Sequence, residues 1–351
     1  MKTNHIIGLT ARTAAALAVA VMLGSCNHSF LFEDEGDCAP DYRVRMRYDW
    51  NMKFADAFPA EVDHVTLNVI DSEGRIVHTH TESGEALKAE DYEIVLDDIV
   101  KPGKYRLQAW CGAGAEPGNT SFAVHPADCL EDLRCTLLPD NAGRADIAGA
   151  EGTDVCRPLD NLYHGLTAEL DFPDTEGVHT YTVPLVKNTN SVKVVLQHLS
   201  GTAIDGNDFD FTITSRNARM AHDNAIIDAE PVVYHAWDIR NGAATINPDD
   251  PNSGGVFSAA VAEFTVGRLM KDEDVRLEAR RKSDGKLVFS VNLIDMALLV
   301  KSANLRSMDN QEYLDRLDDY NFIFFLDANL RWTQVQINIL SWTVVLNNTE
   351  I

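Results

Sequence analysis

Hydrophobic and polar positions alternate along most of the chain. Between residues 42 and 50, the apolar residues Val44, Met46, Tyr48 and Trp50 are separated by Arg or Asp, the pattern of a β-strand with one buried face. Similar stretches recur at short intervals, separated by turn-forming residues. The further predicted strands of this half are 65–69, 75–81, 92–96, 104–110, 121–124, 133–138 and 166–170. This succession predicts a β-sandwich over residues 41–175.

A second series of alternating stretches begins after the turn-rich residues 171–177. Within it, Phe209, Phe211 and Ile213 share one face of a strand. The predicted strands are 181–186, 191–198, 209–214, 256–264, 275–280, 287–293, 322–326 and 333–346. This half predicts a second β-sandwich over residues 176–351, so the fold class is all-β with two sandwich domains in tandem.

One helix is predicted near residues 309–318. Asp309 and Glu312 have the spacing of a capping box, and Tyr313, Leu314 and Leu317 form an apolar stripe behind it. We therefore expect one short helix to interrupt the second sandwich.

Composition and charge indicate a folded, strongly acidic protein. The 351 residues include 30 Lys and Arg against 54 Asp and Glu, a net charge of −24, and 45% are hydrophobic. A chain of this length and hydrophobicity can bury two cores. Its negative surface repels nucleic acid and anionic membranes, so we expect neither as a partner.

The N-terminus resembles an export signal. Lys2 and Arg12 supply positive charge, residues 13–22 form an apolar segment too short to span a membrane, and Leu23-Gly24-Ser25-Cys26 resembles the lipobox of bacterial lipoproteins. We expect residues 1–25 to be a signal peptide, Cys26 to carry lipid, and the acidic residues 26–40 to form a tether. The alternative is an ordinary secretory signal followed by a free cysteine.

Five cysteines remain if Cys26 carries lipid. They are Cys38, Cys111, Cys129, Cys135 and Cys156. Because five is odd, at least one cannot pair within the monomer. For Cys129 and Cys135 the spacing does not suit a zinc knuckle, so a buried free thiol or a disulfide is expected.

Few residues suggest a chemical site, and no enzyme activity is predicted. The sequence has no Gly-x-Ser-x-Gly, no His-Glu-x-x-His and no Gly-rich phosphate loop. His78 and His80 share a strand face but lack a third metal ligand, and residues 205–210 fit a turn better than a calcium loop. No catalytic residue, metal or cofactor is therefore predicted.

Four tryptophans could stack sugars in a glycan-binding module. They are Trp110, Trp237, Trp332 and Trp342. Each lies within or beside an apolar strand pattern, so burial in a core or an interface is the favoured interpretation.

Five segments together resemble one family, the FimB-type anchor lipoproteins of Bacteroidales fimbriae, or minor-fimbria anchor family. The segments are 48–70, 102–110, 158–166, 184–198 and 313–342, in the same order. Residues 109–112 read Ala-Trp-Cys-Gly, where the family usually has a small residue, Trp and Gly, a minor departure.

The resemblance implies two transthyretin-like (Greek-key) sandwiches and a lipid in the outer membrane. It further implies an anchor that holds a fimbrium at the cell surface and terminates its growth. Partners would be the major stalk subunit and other accessory subunits, with no small-molecule substrate. The alternatives are a tip or adhesin subunit of the same fold and a surface glycan-binding lipoprotein.

The C-terminus has the pattern of a strand that could be donated to a neighbouring subunit. The six candidate contact residues are Val335, Ile337, Ile339, Trp342, Val344 and Leu346. Their parity changes at Leu340-Ser341, as expected for a bulge or a turn between two strands within residues 333–351. An added strand gains main-chain hydrogen bonds and side-chain specificity. In the alternative, both strands close the protein's own second sandwich.

Overall fold

The structure is a computed structural model that describes residues 39–96, 99–112, 121–138, 140, 154–198, 202–227, 230–245, 256–299, 301, 305–339 and 342–347. Most of these residues lie in or between β-strands, which confirms the predicted predominance of β-structure. The strands up to residue 187 are β1 (Pro40–Arg47), β2 (His64–Asp71), β3 (Ile76–Ser83), β4 (Ile94–Val95), β5 (Gly103–Cys111), β6 (Phe122–His125), β7 (Arg134–Leu137), β8 (Asp154–Val155), β9 (Tyr163–Leu166), β10 (Leu170–Phe172), β11 (Gly177–Pro184) and β12 (Val186–Lys187). The remaining strands are β13 (Thr189–His198), β14 (Phe209–Ser215), β15 (Arg219–Ala221), β16 (Val232–His235), β17 (Asp238–Thr245), β18 (Val256–Gly267), β19 (Arg276–Arg281), β20 (Leu287–Asn292), β21 (Asp319–Leu326), β22 (Trp332–Ile339) and β23 (Trp342–Asn347).

Three short α-helices occur in the described part of the chain. They are α1 (Phe58–Glu61), α2 (Leu293–Leu299) and α3 (Asn310–Arg316). In these ranges no helix is long and apolar enough to cross a membrane.

The helix predicted near residues 309–318 is confirmed as α3. The Asp309 side chain accepts a hydrogen bond from the Gln311 amide at 2.8 Å, as an N-cap does. Glu312 does not complete the capping box, because its carboxylate pairs with Arg316 one turn later at 2.8 Å. The expectation of only one helix is wrong. Helix α1 is too short for a periodic signal, and the apolar residues of α2 continue the pattern of β20.

The N-terminal sandwich consists of two sheets around one core. One sheet has the strand order β11-β1-β4, and the other has the order β12-β9-β5-β2-β3, with β10 added beside β5. The shared core contains inward-facing residues of both sheets, including Val44, Val183, Val65 and Leu107. Alternation of these residues with polar neighbours is what fixes the register of each strand.

The C-terminal sandwich is built in the same way around a larger core. Its six-stranded sheet has the order β17-β18-β13-β21-β22-β23, and its five-stranded sheet has the order β20-β19-β14-β16-β8. Phe289 of β20 stacks on Phe324 of β21 with ring centroids 3.8 Å apart, which places these two strands face to face. Phe209, Phe211 and Ile213 are all buried, as their alternation predicted.

Strand pairing does not divide the chain between residues 175 and 176, where the sequence predicted a boundary. β11 follows this point but pairs with β1, whereas β8 precedes it but pairs with β16. A small third sheet, β15-β7-β6, also joins strands from both sides. Each of these strands completes the hydrogen bonds of an edge contributed by the other half. The division into two independent domains stays a prediction.

Among the cysteines in the described ranges, Cys111, Cys129 and Cys135 are free thiols. Cys111 and Cys135 are buried, whereas Cys129 and Cys156 are partly exposed. Burial raises the pKa of the Cys111 and Cys135 thiols well above the ordinary value. Of the two interpretations, the buried free thiol is confirmed for Cys135, whereas Cys129 is a free thiol that is partly exposed. Cys26 and Cys38 lie outside the described residues.

The contact between the two sheets of the N-terminal sandwich makes Gly165→Ala a sensitive test of the fold. A Cβ at this position would lie 2.6 Å from Val183 Cγ1 and 2.7 Å from the Pro184 backbone oxygen. We expect the substitution to lower the free energy of unfolding by about 1–3 kcal/mol. Gly242→Ala is the matched control, since its nearest neighbour is 3.9 Å away. Urea denaturation of both variants measures the difference, and equal stabilities would contradict the close contact.

Candidate functional site

The first strand is an interior strand of its sheet. β1 pairs in parallel with β11 over eight residue pairs, from Pro40↔Gly177 to Arg47↔Pro184, and with β4 on its other side. The ladder with β11 continues past β1, because the Leu185 amide donates to the Arg47 carbonyl at 2.8 Å. β1 thus fills a groove between β11 and β4.

Large side chains fix β1 in this groove. Tyr42, Val44 and Met46 are at most 2% exposed, and they belong to the core of the N-terminal sandwich. The Tyr42 ring packs on Phe172 at 5.0 Å, and its hydroxyl donates to the Pro173 carbonyl at 2.8 Å. Burial raises the pKa of the Tyr42 hydroxyl, as expected for a phenol held away from water.

The six predicted donor residues lie opposite one another in the C-terminal hairpin. β22 and β23 are antiparallel with the register Val335↔Leu346, Ile337↔Val344 and Ile339↔Trp342. Val335 is fully buried in the core of the C-terminal sandwich, where it faces Phe324. The side chains of the other five residues lie outside the part of the chain that the structure describes.

β23 is an edge strand. It ends the six-stranded sheet, and within the described ranges only β22 pairs with it. An edge strand leaves a row of N–H and C=O groups without strand partners, so it is open to pairing with another chain. By contrast, β22 lies inside the sheet between β21 and β23.

The strand directions place each end of the described chain at the end of its strand that is remote from the connection between the two sandwiches. β1 and β11 run from Pro40 towards Pro184, and the chain then passes through β12 into β13 at Thr189. β21 is parallel to β13, and the chain reverses twice to give β23. Asn347 therefore lies at the same end of the six-stranded sheet as His198. Both Pro40 and Asn347 point away from the junction of the sandwiches, which comprises residues 48–57, residues 187–190 and α3.

An arginine holds one side of this junction. The Arg316 guanidinium lies 3.9 Å from the Trp50 ring centroid and 4.7 Å from that of Phe54. It donates to the Asp49 carbonyl at 3.1 Å and pairs with Glu312, although Arg316 is only 8% exposed. Such stacking and charge-assisted hydrogen bonds together satisfy a buried guanidinium. The loop that follows β1 is thereby attached to α3 of the C-terminal sandwich.

Buried polar side chains hold the other side of the junction. Asn188 exchanges two side-chain hydrogen bonds with Asn224, at 2.7 and 3.0 Å, and its amide donates to the Leu162 carbonyl. Lys187 pairs with Glu61 at 3.3 Å and with Asp318 at 2.9 Å. Asn188 is fully buried. The connection between β12 and β13 is therefore a fixed, hydrogen-bonded segment.

A groove of about 350 Å³ runs beside the junction. Its lining residues are Trp50, His164, Gly165, Leu166, Pro184, Leu185, Val186, Asp223, Asn224 and Arg268. His164 is 4% exposed and donates from Nε2 to the His222 carbonyl at 2.7 Å. Burial lowers the pKa of His164 to about 4, so its ring is neutral in the folded protein.

The weaker candidates from the sequence do not form a site in the described ranges, which contain no group of three or more His, Cys, Asp or Glu placed to hold a metal. His78 and His80 lie on the same face of β3, and His80 contacts Glu82 at 3.3 Å. Asp205 caps a 3-10 turn that leads into β14, as the turn interpretation predicted.

The tryptophans differ in exposure. Trp110 is completely buried, Trp237 is 37% exposed, and Trp332 packs against the core of the C-terminal sandwich. The side chain of Trp342 lies outside the described residues. The contacts of Arg316 at the junction involve Trp50 and Phe54. The alternating pattern placed Trp50 on the buried face of the first predicted strand, but it did not single out Phe54 or Arg316. The only signal for Arg316 was its place in the predicted helix.

Three solved structures are similar to this protein over most of its length. A candidate adhesin from Bacteroides thetaiotaomicron is 31% identical, with a TM-score of 0.74, over 90% of this chain and 100% of that one. A protein from the same organism, described as a candidate polysaccharide-binding protein, is 28% identical, with a TM-score of 0.72 and the same coverage. The fimbrial anchor protein Mfa2 from Porphyromonas gingivalis shares the fold with 14% identity and a TM-score of 0.62, over 88% of this chain and 99% of that one.

The fold and these relatives define a class of β-rich fimbrial and adhesin-like proteins. A more specific assignment comes from a family profile that matches residues 34–348. The chain belongs to the fimbrillin-A associated anchor proteins Mfa1 and Mfa2, which are not a family of enzymes. A search of curated proteins gave no significant match.

The neutral, buried His164 makes the free energy of unfolding depend on pH. Its folded pKa of about 4 lies below the ordinary value of 6.5, so the unfolded chain binds the proton first. Stability is fully present above pH 6.5 and is lost as the pH falls towards 4, by about 3 kcal/mol in total. We expect His164→Gln to flatten this decrease in urea denaturation between pH 7 and 4, whereas the exposed control His125→Gln keeps it. A decrease of the same size in His164→Gln would contradict the assignment.

Proposed function

We propose that this protein anchors a fimbrium to the outer membrane through lipid on Cys26 and terminates the growth of the fimbrium at that point. Membership of the anchor family supports fimbrial subunits as partners and the cell-surface base of the fimbrium as the location. The observation that carries the proposal is the position of β1, which fills the groove between β11 and β4 over eight residue pairs with β11.

A filled groove explains how growth would end. If subunits of the stalk join by inserting a strand into a neighbour's groove, the acceptor must have an empty one. Here β1 supplies the backbone hydrogen bonds of β11 and the buried side chains Tyr42, Val44 and Met46. Removing it would expose these core positions, and each large apolar side chain contributes about 1.5–3 kcal/mol by burial. A chain that keeps β1 has no groove to offer.

The C-terminal edge would make the contact with the stalk. We assign this contact to β23, because in the described ranges it is an edge strand that pairs only with β22. Val335 is less suited to donation than the sequence suggested, since it is part of the protein's own core. The donor residues of this proposal are therefore Trp342, Val344 and Leu346.

Several finer features belong to the same proposal. These are the transthyretin-like, Greek-key class of both sandwiches, the signal peptide at residues 1–25, the tether at residues 26–40, and the base rather than the tip as the location. Because a similar protein is described as a candidate adhesin, a tip subunit is the main alternative for this protein. For glycan binding, the buried Trp110 offers no accessible ring.

Cys26→Ala tests the lipid anchor. Without its thiol the chain cannot be acylated, so we expect the protein and attached fimbriae to appear in the medium. Cys156→Ala is the control, because this cysteine lies within the folded part of the chain. Immunoblotting of cell and medium fractions, with electron microscopy of the cells, gives the result. Fimbriae that remain on Cys26→Ala cells would refute anchoring through this residue.

A cross-strand disulfide tests donation by β23. Asn338 and Thr343 are directly opposite, so Asn338→Cys with Thr343→Cys can lock β23 to β22. We expect the oxidised protein to lose co-purification with the stalk subunit and to regain it on reduction. The control pair is Asn321→Cys with Asn338→Cys, which locks β22 to β21 and leaves β23 free. Binding by the oxidised β22–β23 lock would refute the donor role.

A further inference from the structure

We infer that this fold resists tension applied between its two ends. The paired strands β1 and β11 act as a mechanical clamp loaded in shear, and Arg316 holds the segment that follows β1. This inference rests on the proposed function for its biological purpose, because an anchor is pulled between membrane and fimbrium. Its physical basis is separate, since it follows from strand direction and from the contacts at the junction.

Strand direction determines how a pull acts on β1. Tension at the N-terminus draws Pro40 away from the junction, whereas tension from the C-terminus reaches β11 through β12 and β13 and draws Pro184 towards the junction. The two strands are parallel, so these forces act in opposite directions along the ladder. All the hydrogen bonds between them are then loaded together, and none can open first as in a zipper.

Side chains increase the resistance to sliding. Moving β1 along its axis would drag Tyr42, Val44 and Met46 out of their positions in the core. The ring of Tyr48 also packs edge-on against Tyr163 with centroids 4.9 Å apart. A closely packed core permits no gradual displacement of such groups, so they must leave their sites together.

Arg316 holds the segment of the chain that directly follows β1. If β1 moves towards the N-terminus, residues 49–51 must follow, and this breaks the hydrogen bond from Arg316 to the Asp49 carbonyl. The Trp50 ring must also leave the guanidinium that lies 3.9 Å from its centroid. Arg316 is part of α3, so the pull passes into the C-terminal sandwich by a second route besides β12.

The loop behind β1 is rigid enough to transmit the pull. The Asn51 side chain donates to the Tyr48 carbonyl at 3.0 Å and to the Ala55 carbonyl at 2.8 Å. These bonds hold Phe54 at a φ of 53°, a left-handed conformation that is costly for a residue with a large side chain. A loop that maintains such a conformation is fixed by its own hydrogen bonds, so Trp50 and Phe54 are held in place for Arg316.

Single-molecule force spectroscopy of the full chain in two pulling geometries tests the clamp. Handles at Ala39 and at the exposed Ala328, which follows β21, load β1 and β11 in shear without pulling through β23. Handles at Ala39 and the exposed Glu176 instead pull the two strands apart from one end. Because eight residue pairs resist together in the first geometry and one at a time in the second, we expect a rupture force roughly two- to threefold higher in shear. Equal forces, or a lower force in shear, would overturn the inference.

Arg316→Met separates the contribution of Arg316 to the rupture force from that of the β1–β11 ladder. We expect this variant to lower the rupture force in shear and to leave the force in the peeling geometry unchanged, because peeling starts at the far end of β1. Arg280→Met is the control, since Arg280 forms an exposed ion pair with Glu278 within β19 and contacts none of the junction residues named above. A folded Arg316→Met protein with an unchanged rupture force in shear, or with an equal loss of force in both geometries, would contradict the role assigned to Arg316.

These measurements are independent of fimbrial assembly. If Cys26→Ala leaves fimbriae on the cells but the shear force is high, the proposed anchoring fails and the mechanical inference stands. If fimbriae are shed but both geometries give equal forces, the anchoring stands and the mechanical inference fails.

Discussion

The parallel pairing of β1 with β11 is the constraint on which the rest of the structure depends. It joins residues separated by more than a hundred positions, so it forms only when the intervening strands are correctly arranged. Once formed, it closes the core of the N-terminal sandwich and sets the direction of the chain at the junction. The same pairing explains why β11 belongs with β1, although the pattern of turns suggested a boundary before it.

The junction depends on polar groups that have lost contact with water. Asn188, Asn224 and Arg316 are each less than a tenth exposed. Moving the sandwiches apart would break their hydrogen bonds, and a buried group left without its partner costs about 1–3 kcal/mol or more. Water could replace these bonds only after full separation. The arrangement therefore favours one fixed orientation over partly opened ones.

Sequence patterns predicted the structural features that depend on residues close together in the chain. Alternation identified the buried faces of β1 and β14, and the Asp309 cap marked the start of α3. Patterns could not predict partners that are distant in sequence. Nothing near Arg316 indicates that it meets Trp50, and nothing near Gly165 indicates that Val183 leaves no room for a Cβ. The same limit applies to Asn188, whose partners Leu162 and Asn224 come from two separate segments.

The two terminal strands differ in a way that suits opposite tasks. β1 has strand partners on both sides and inserts Tyr42, Val44 and Met46 into a core, so its release disrupts a whole sandwich. In the described ranges β23 has one partner strand, and its departure would leave β22 paired with β21 and Val335 still in the core. Exchange is thus less costly for β23 than for β1. A protein held at its N-terminus and joined to others at its C-terminus requires this asymmetry.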